Sequence, residues 1–221
     1  MHAKIRNSAL TVLGLLLSQI FTGGEVAHAT PPECGTGTVW RVNDTSGEWK
    51  SIWVQQPGTD STIYSGRWQK ANEATVTGTL VVSASGNSVI IRRTDDPNLS
   101  RLINCSYDGA FGADGKSASG TATCNSNEGK LGPFDWDAWI SCEDPRQRFE
   151  SNVDRPGGDY RNFDLELADP TQCWAQCELE DQCKAWTYVN PNTQGPKARC
   201  WLKNSVPAQV PNATFATSGV K

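Results

Sequence analysis

Short runs rich in β-branched and aromatic residues recur through the first two thirds of the chain, at 49–55, 61–68, 75–83, 89–93, 102–108, 118–124 and 136–142. Each has the length of a strand. Turn residues separate them: Gln56-Pro57-Gly58, Ser85-Gly86-Asn87, Ala113-Asp114-Gly115 and the stretch 129–133. Ser85-Gly86-Asn87 and Asp114-Gly115 read as hairpin tips. Regular spacing without helical periodicity predicts an up-and-down antiparallel meander, curled or closed as a small barrel. In the segment 135–140, period-two alternation puts Trp136, Ala138 and Ile140 on one face and Asp135, Asp137 and Trp139 on the other. The first face is the buried one. Trp139, beside two carboxylates, is the expected exposed aromatic.

Beyond residue 145 the pattern changes. Asp169-Pro170-Thr171-Gln172 is a helix start, with Asp169 as N-cap, Pro170 at the first helical position and Gln172 at the capping-box position. The helix carries Cys173 and Cys177 four residues apart, so both thiols project from one face. Cys183 opens a strand at 185–189. A turn-rich connection follows, then a second strand, 198–203, holding Cys200. The fold class expected is mainly β: an N-terminal antiparallel meander or small barrel and a small α+β module.

The start of the chain reads as a leader. Lys4 and Arg6 form a positive region, 9–21 is mostly apolar, and Ala27-His28-Ala29 is a small-x-small cleavage signal. The apolar run is too short to span a bilayer, and no other stretch is long enough. A signal peptide at 1–29 predicts a secreted or periplasmic protein that starts at Thr30, with no transmembrane segment in the mature chain. Cleavage would remove both histidines, His2 and His28. It would also take Lys4, Arg6 and Glu25, leaving the protein one unit more acidic than the whole chain's −4. That balance argues against a nucleic-acid partner.

The eight cysteines form two quartets. Cys34, Cys105, Cys124 and Cys142 precede Glu143-Asp144-Pro145-Arg146; Cys173, Cys177, Cys183 and Cys200 follow it. An even count in each half lets each close its own bridges, which divides the mature chain into 30–145 and 146–221. Zinc is the alternative use of clustered cysteine. These spacings lack paired C-x-x-C knuckles, and an oxidising compartment favours disulfides. Cys105 and Cys124 flank one hairpin and Cys34 and Cys142 bracket the first half, so the expected bridges there are Cys105–Cys124 and Cys34–Cys142. In the second quartet the spacing alone leaves three pairings open.

At four places the second half resembles the PAN/apple family in its bacterial form. They are the segment 149–160 (FESNVDRPGGDY), the helical C-W-A-Q-C from Cys173 to Cys177, the C-K-A-W-T-Y from Cys183 to Tyr188, and the A-R-C-W-L-K of 198–203. The resemblance covers about 147–221. It implies a helix cradled by a curved antiparallel sheet and nested bridges, Cys173–Cys200 and Cys177–Cys183. It also implies a protein- or carbohydrate-binding module without catalytic residues of its own. Arg155, Tyr160, Trp186, Tyr188 and Arg199 are the candidate contact residues in that module, and Trp139 is the candidate in the first half. The first half resembles no specific family.

No mature histidine means no Ser-His-Asp or Cys-His mechanism of the usual build. Gly-rich phosphate loops and a dinucleotide fingerprint are absent from the sequence. The enzyme alternative is a carboxylate-based glycoside hydrolase using Asp135 and Asp137, with Asp95-Asp96 as further acids placed in a loop. The reading that results is a non-catalytic binding protein without cofactor or metal, whose partner is a protein or glycan on a cell surface or in the envelope. A second binding class is a periplasmic inhibitor or assembly factor acting through the β domain.

Overall fold

The computed structural model describes residues 30–44, 48–58, 62–71, 73–95 and 103–221. The leader expected at 1–29 and Asp96 lie outside the described residues. Eight antiparallel strands close a barrel in sequence order: β1 (Val39–Asp44), β2 (Trp49–Gln55), β3 (Ile63–Lys70), β4 (Val76–Ser85), β5 (Ser88–Asp95), β6 (Ile103–Phe111), β7 (Ser117–Ser126) and β8 (Gly129–Ser141). Pairing of β1 with β8, Val39 opposite Ser141 through Asp44 opposite Trp136, completes the closure.

Large rings fill the interior. Trp40 stacks on Trp53 at 5.8 Å, while Tyr107 meets Trp53 edge-on at 5.4 Å and Trp136 edge-on at 6.0 Å. So many rings fit because two inward positions carry no side chain. A Cβ at Gly66 would lie 2.3 Å from the Trp68 ring, and one at Gly109 2.7 Å from that of Trp136. Cys105 and Cys124 are directly paired on β6 and β7 and bridged, with Cα atoms 4.0 Å apart.

Three sequence expectations shift. Strand β1 was not foreseen. The stretch 129–133, expected as a turn, belongs to β8, and the turn moves to Asn127-Glu128. Pro133 is tolerated there because β8 runs past the end of β1 at this point, so only β7 lies alongside. The register shifts between Ala122 and Cys124 because β8 carries one residue more there, a bulge at Gly132-Pro133 opposite Thr123, with Gly132 at φ 94°. Asp95, expected in a loop, ends β5 with its side chain buried.

The two ends of the barrel differ. At one, the segment from Thr30 to Thr38 folds across the opening. Trp40 Nε1 donates to Thr36 O at 2.7 Å, the Tyr64 hydroxyl donates to Gly37 O, and Cys34 is bridged to Cys142. At the other end, no segment of the described residues folds across the opening.

The C-terminal module begins with a 3-10 turn, Pro145–Arg148. Short strands β9 (Glu150–Ser151) and β10 (Val153–Asp154) follow, then β11 (Asp159–Leu165), helix α1 (Pro170–Leu179), β12 (Ala185–Val189), β13 (Ala198–Lys203), β14 (Val210–Pro211) and β15 (Ala216–Val220). Five of these strands form a sheet in the order β11-β13-β12-β15-β9. Bridges Cys173–Cys200 and Cys177–Cys183 tie α1 to β13 and to the residues ahead of β12. Asp169 caps the helix, accepting from Thr171 N at 2.9 Å.

Helix α1 is buried along most of its length because the barrel covers the face turned away from the sheet. Val39, Ile52 and Val54 point outward from the barrel and share one apolar cluster with Trp174, Cys173 and Leu165. Polar groups in this contact are matched. Gln172, instead of closing a capping box, donates to Ser65 Oγ at 2.9 Å. Gln176 accepts from Arg67 Nε at 3.1 Å and donates to Gln69 Oε1 at 2.8 Å. Burial, with Arg161 nearby, lowers the Arg67 guanidinium to about 9, which leaves it charged at neutral pH.

Candidate functional site

Because successive side chains on a strand point to opposite faces, Trp136 and Ile140 enter the barrel while Trp139 is driven out of it. Half of Trp139 is exposed, at 50 % of its full area. It stands on the wall of a cleft of about 940 Å³ between the closed end of the barrel and the C-terminal module. Barrel residues Arg41, Lys116 and Trp139 form one side. The 3-10 turn and helix α1 contribute Gln147, Arg148 and Trp174 to the other.

The cleft is mixed in chemistry. Arg41 pairs with Glu178 at 3.1 Å and lies 5.7 Å from the centre of the Trp174 ring, which fixes its head group over the module. Asp144 caps the 3-10 turn and holds Arg146 at 3.1 Å. Asp114 accepts from Lys116 N and Ser117 Oγ; these bonds hold its carboxyl below the usual range. Gln147 and Arg148 are exposed and have no side-chain partner among the described residues. An exposed indole face ringed by amide, guanidinium and carboxylate groups suits a ligand with an apolar face and many hydroxyls.

Elsewhere the candidate residues serve the fold. Trp186 is fully buried and meets Phe149 edge-on at 4.8 Å. Tyr188, two residues further along the same strand, is also buried, and desolvation pushes its phenol up. Both are core because β12 is interior to the five-stranded sheet and all five of its residues are covered. Arg155 is only 7 % exposed. It grips Glu150 through Nε at 2.7 Å and Nη2 at 2.6 Å and donates to Pro207 O, clamping β9 to the loop that holds Pro207. The Tyr160 hydroxyl donates to Glu180 at 2.9 Å; burial and that carboxylate push the phenol up. Arg199 reaches the surface, where Asp164 holds it at 2.9 Å.

Of the acids of the carboxylate alternative, Asp95, Asp135 and Asp137 lie among the described residues. Asp137 sits on the outer wall, accepting from Asn43 Nδ2 at 3.3 Å, and Asp135 lines the open end of the barrel. Asp95, raised by burial, faces Arg93 rather than a second carboxyl. Among the described residues, no group of three or more His, Cys, Asp or Glu is placed to hold a metal ion.

The sequence marked Trp139. It did not mark Trp174, Arg41, Gln147 or Arg148, since their meeting depends on how two distant segments dock. Among the described residues, no helix is long and apolar enough to cross a membrane. No curated protein and no solved structure matches the chain. Residues 153–203 match the family model of the PAN domain, a stretch that runs from β10 through the end of β13 and includes all four cysteines of the second quartet. The helix-and-sheet module at the C-terminus is therefore a PAN domain, and it follows an eight-stranded barrel that has no family match.

Proposed function

We propose that this is an exported, non-catalytic binding protein that recognises a carbohydrate in the cleft between its barrel and its PAN domain. PAN domains are protein- and carbohydrate-binding modules, which supports a binding role. Four disulfides suit an extracellular or periplasmic setting. The observation that carries the carbohydrate reading is Trp139, a half-exposed indole held on a rigid strand at the wall of a polar cleft. A pyranose would lay its C–H face on that ring. Gln147 and Arg148 are within the same cleft to meet its hydroxyls.

The test is a glycan array probed with the oxidised chain from Thr30 to Lys221. Saturable binding is expected, and Trp139→Ala should weaken it at least about tenfold, the effect of removing a central aromatic contact of roughly 1.4 kcal/mol or more. The substitution is on the surface, so the circular dichroism spectrum should not change. An array with no saturable signal from folded protein overturns the carbohydrate reading and leaves a protein partner for the same cleft.

A further inference from the structure

The open end of the barrel leads into a cavity of about 440 Å³, within the roughly 300–1,000 Å³ range of small-molecule sites. Its walls are mainly apolar, with Val42, Trp68, Ile103, Leu131 and Phe134 among them. Two deep residues also line it: Tyr107, 7 % exposed, and Trp136, 2 % exposed. The Trp136 indole N–H has no hydrogen-bond partner. The Tyr107 ring touches Trp53 and Trp136 by its edges, and its hydroxyl has no partner among the described residues. The Trp136 N–H is sealed among the rings, whereas the Tyr107 hydroxyl remains reachable, so an acceptor arriving in the cavity gains a hydrogen bond there worth about 0.5–1.5 kcal/mol.

Charge narrows the chemistry of the occupant. Arg93 is the cation in the wall, but Asp95 neutralises it at 2.6 Å and the guanidinium lies flat on Trp68, 3.7 Å from the ring centre. Asp44, Glu48 and Asp135 stand at the rim. Among the described residues that line the cavity, a negatively charged ligand would find no unpaired cation. The depth of Tyr107 and Trp136 favours a slender molecule over the surface of a folded protein.

We propose that the barrel mouth is a second binding site, for a small, uncharged, largely apolar molecule whose carbonyl or ether oxygen accepts from the Tyr107 hydroxyl. This site lies at the opposite end of the barrel from the PAN cleft and is independent of the carbohydrate reading.

The probe is Nile red, an uncharged dye with a ring carbonyl, titrated into the oxidised chain from Thr30 to Lys221. Saturable one-to-one binding is expected, with energy transfer from the barrel tryptophans to the dye. An uncharged ketone, 2-undecanone, should displace it at least tenfold more effectively than undecanoate at pH 7.5. Tyr107→Phe keeps the ring and removes the hydroxyl; it should weaken 2-undecanone by about fivefold, the worth of one neutral hydrogen bond. Leu131→Trp fills the mouth and should abolish dye binding. If that variant does not fold, Glu48→Lys at the exposed rim replaces it and should narrow the ketone-to-carboxylate ratio severalfold. No saturable binding by the unaltered protein overturns the proposal. So does equal displacement by ketone and carboxylate, or dye binding that persists in folded Leu131→Trp.

Discussion

The closed and open ends of the barrel are built from the same strands and solve opposite problems. At the closed end the indole N–H of Trp40 has an acceptor, Thr36 O, and the Tyr64 hydroxyl has Gly37 O. A chain segment supplies both acceptors, and the Cys34–Cys142 bridge pins that segment in place. At the open end Trp136 and Tyr107 are almost as deeply buried, yet no chain segment among the described residues answers them. The closed end answers two donors from its own backbone, though the Trp53 N–H beside Trp40 stays unpartnered; the other end keeps a reachable hydroxyl beside space. Rings of the same kind therefore seal one mouth and line a pocket at the other.

The largest effect should come from the sealed end. Trp40→Ala removes a fully buried ring that packs on Trp53, Phe111 and Trp136, and is expected to cost about 4 kcal/mol of unfolding free energy. Trp49→Ala, at the partly exposed rim of the open end, should cost less than half as much. Urea titration followed by tryptophan emission compares the two, and equal losses would erase the distinction between the ends.

Next in size is the bridge. Replacing Cys34 and Cys142 together by Ser frees the segment that closes the barrel and should lower stability by about 3 kcal/mol, since the bridge closes a loop of 108 residues. The same protein should keep its Nile red affinity, because the bridge lies away from the open mouth. A parallel loss of dye binding would show the two ends to be coupled.

At the open end, Arg93→Met removes the guanidinium from Trp68 and leaves the Asp95 carboxyl buried without its cation, for a loss of about 2 kcal/mol near neutral pH. Thermal unfolding at pH 7 measures it. The loss should shrink in acid, as the stranded carboxyl takes up a proton.

The smallest effect is a difference in pH dependence. Burial outweighs the attraction of Arg93 and raises the Asp95 carboxyl above 3.8. A raised carboxyl binds its proton more tightly in the folded state. Its contribution to stability is thus complete below pH 3.8 and is lost as pH rises through the folded value. Glu150, lowered by its hydrogen bonds from Arg155, runs the other way: its contribution is present above 4.5 and is lost as pH falls through the folded value. Unfolding measured from pH 3 to pH 7 should show Asp95→Asn gaining on the unaltered protein as pH rises, and Glu150→Gln losing ground. The same slope in both variants would contradict these assignments.

How far the sequence foretold all this depended on whether a residue's fate was settled locally. Trp136 and Trp139 were separated by alternation alone, because β8 has the barrel interior on one side and solvent on the other. Alternation failed for β12, where Trp186 and Tyr188 occupy a strand covered on both faces. Strand β1 was missed because Val39-Trp40-Arg41-Val42 is brief and lies between turn-forming residues; pairing with β8, far along the chain, makes it a strand. The apolar run Ile52-Trp53-Val54 held a signal that went unused. A strand of a half-exposed sheet alternates, and this one does not, since Trp53 fills the barrel while Ile52 and Val54 meet the helix. The cleft depended on that docking and so was visible only through Trp139.

Helix α1 belongs to two cores at once, and this changes what kind of part the PAN domain is. A domain that can be shuffled among proteins has a surface of its own on every side. Here, recombination that transplanted the module would strip the barrel of its outer coat, leaving Val39, Ile52 and Val54 wet and Arg67 without the Gln176 amide. The join works as a ratchet: each substitution that improves the seam makes separation harder. The two halves must then drift as one heritable unit, with Gln172 and Gln176 as much the barrel's residues as the helix's own.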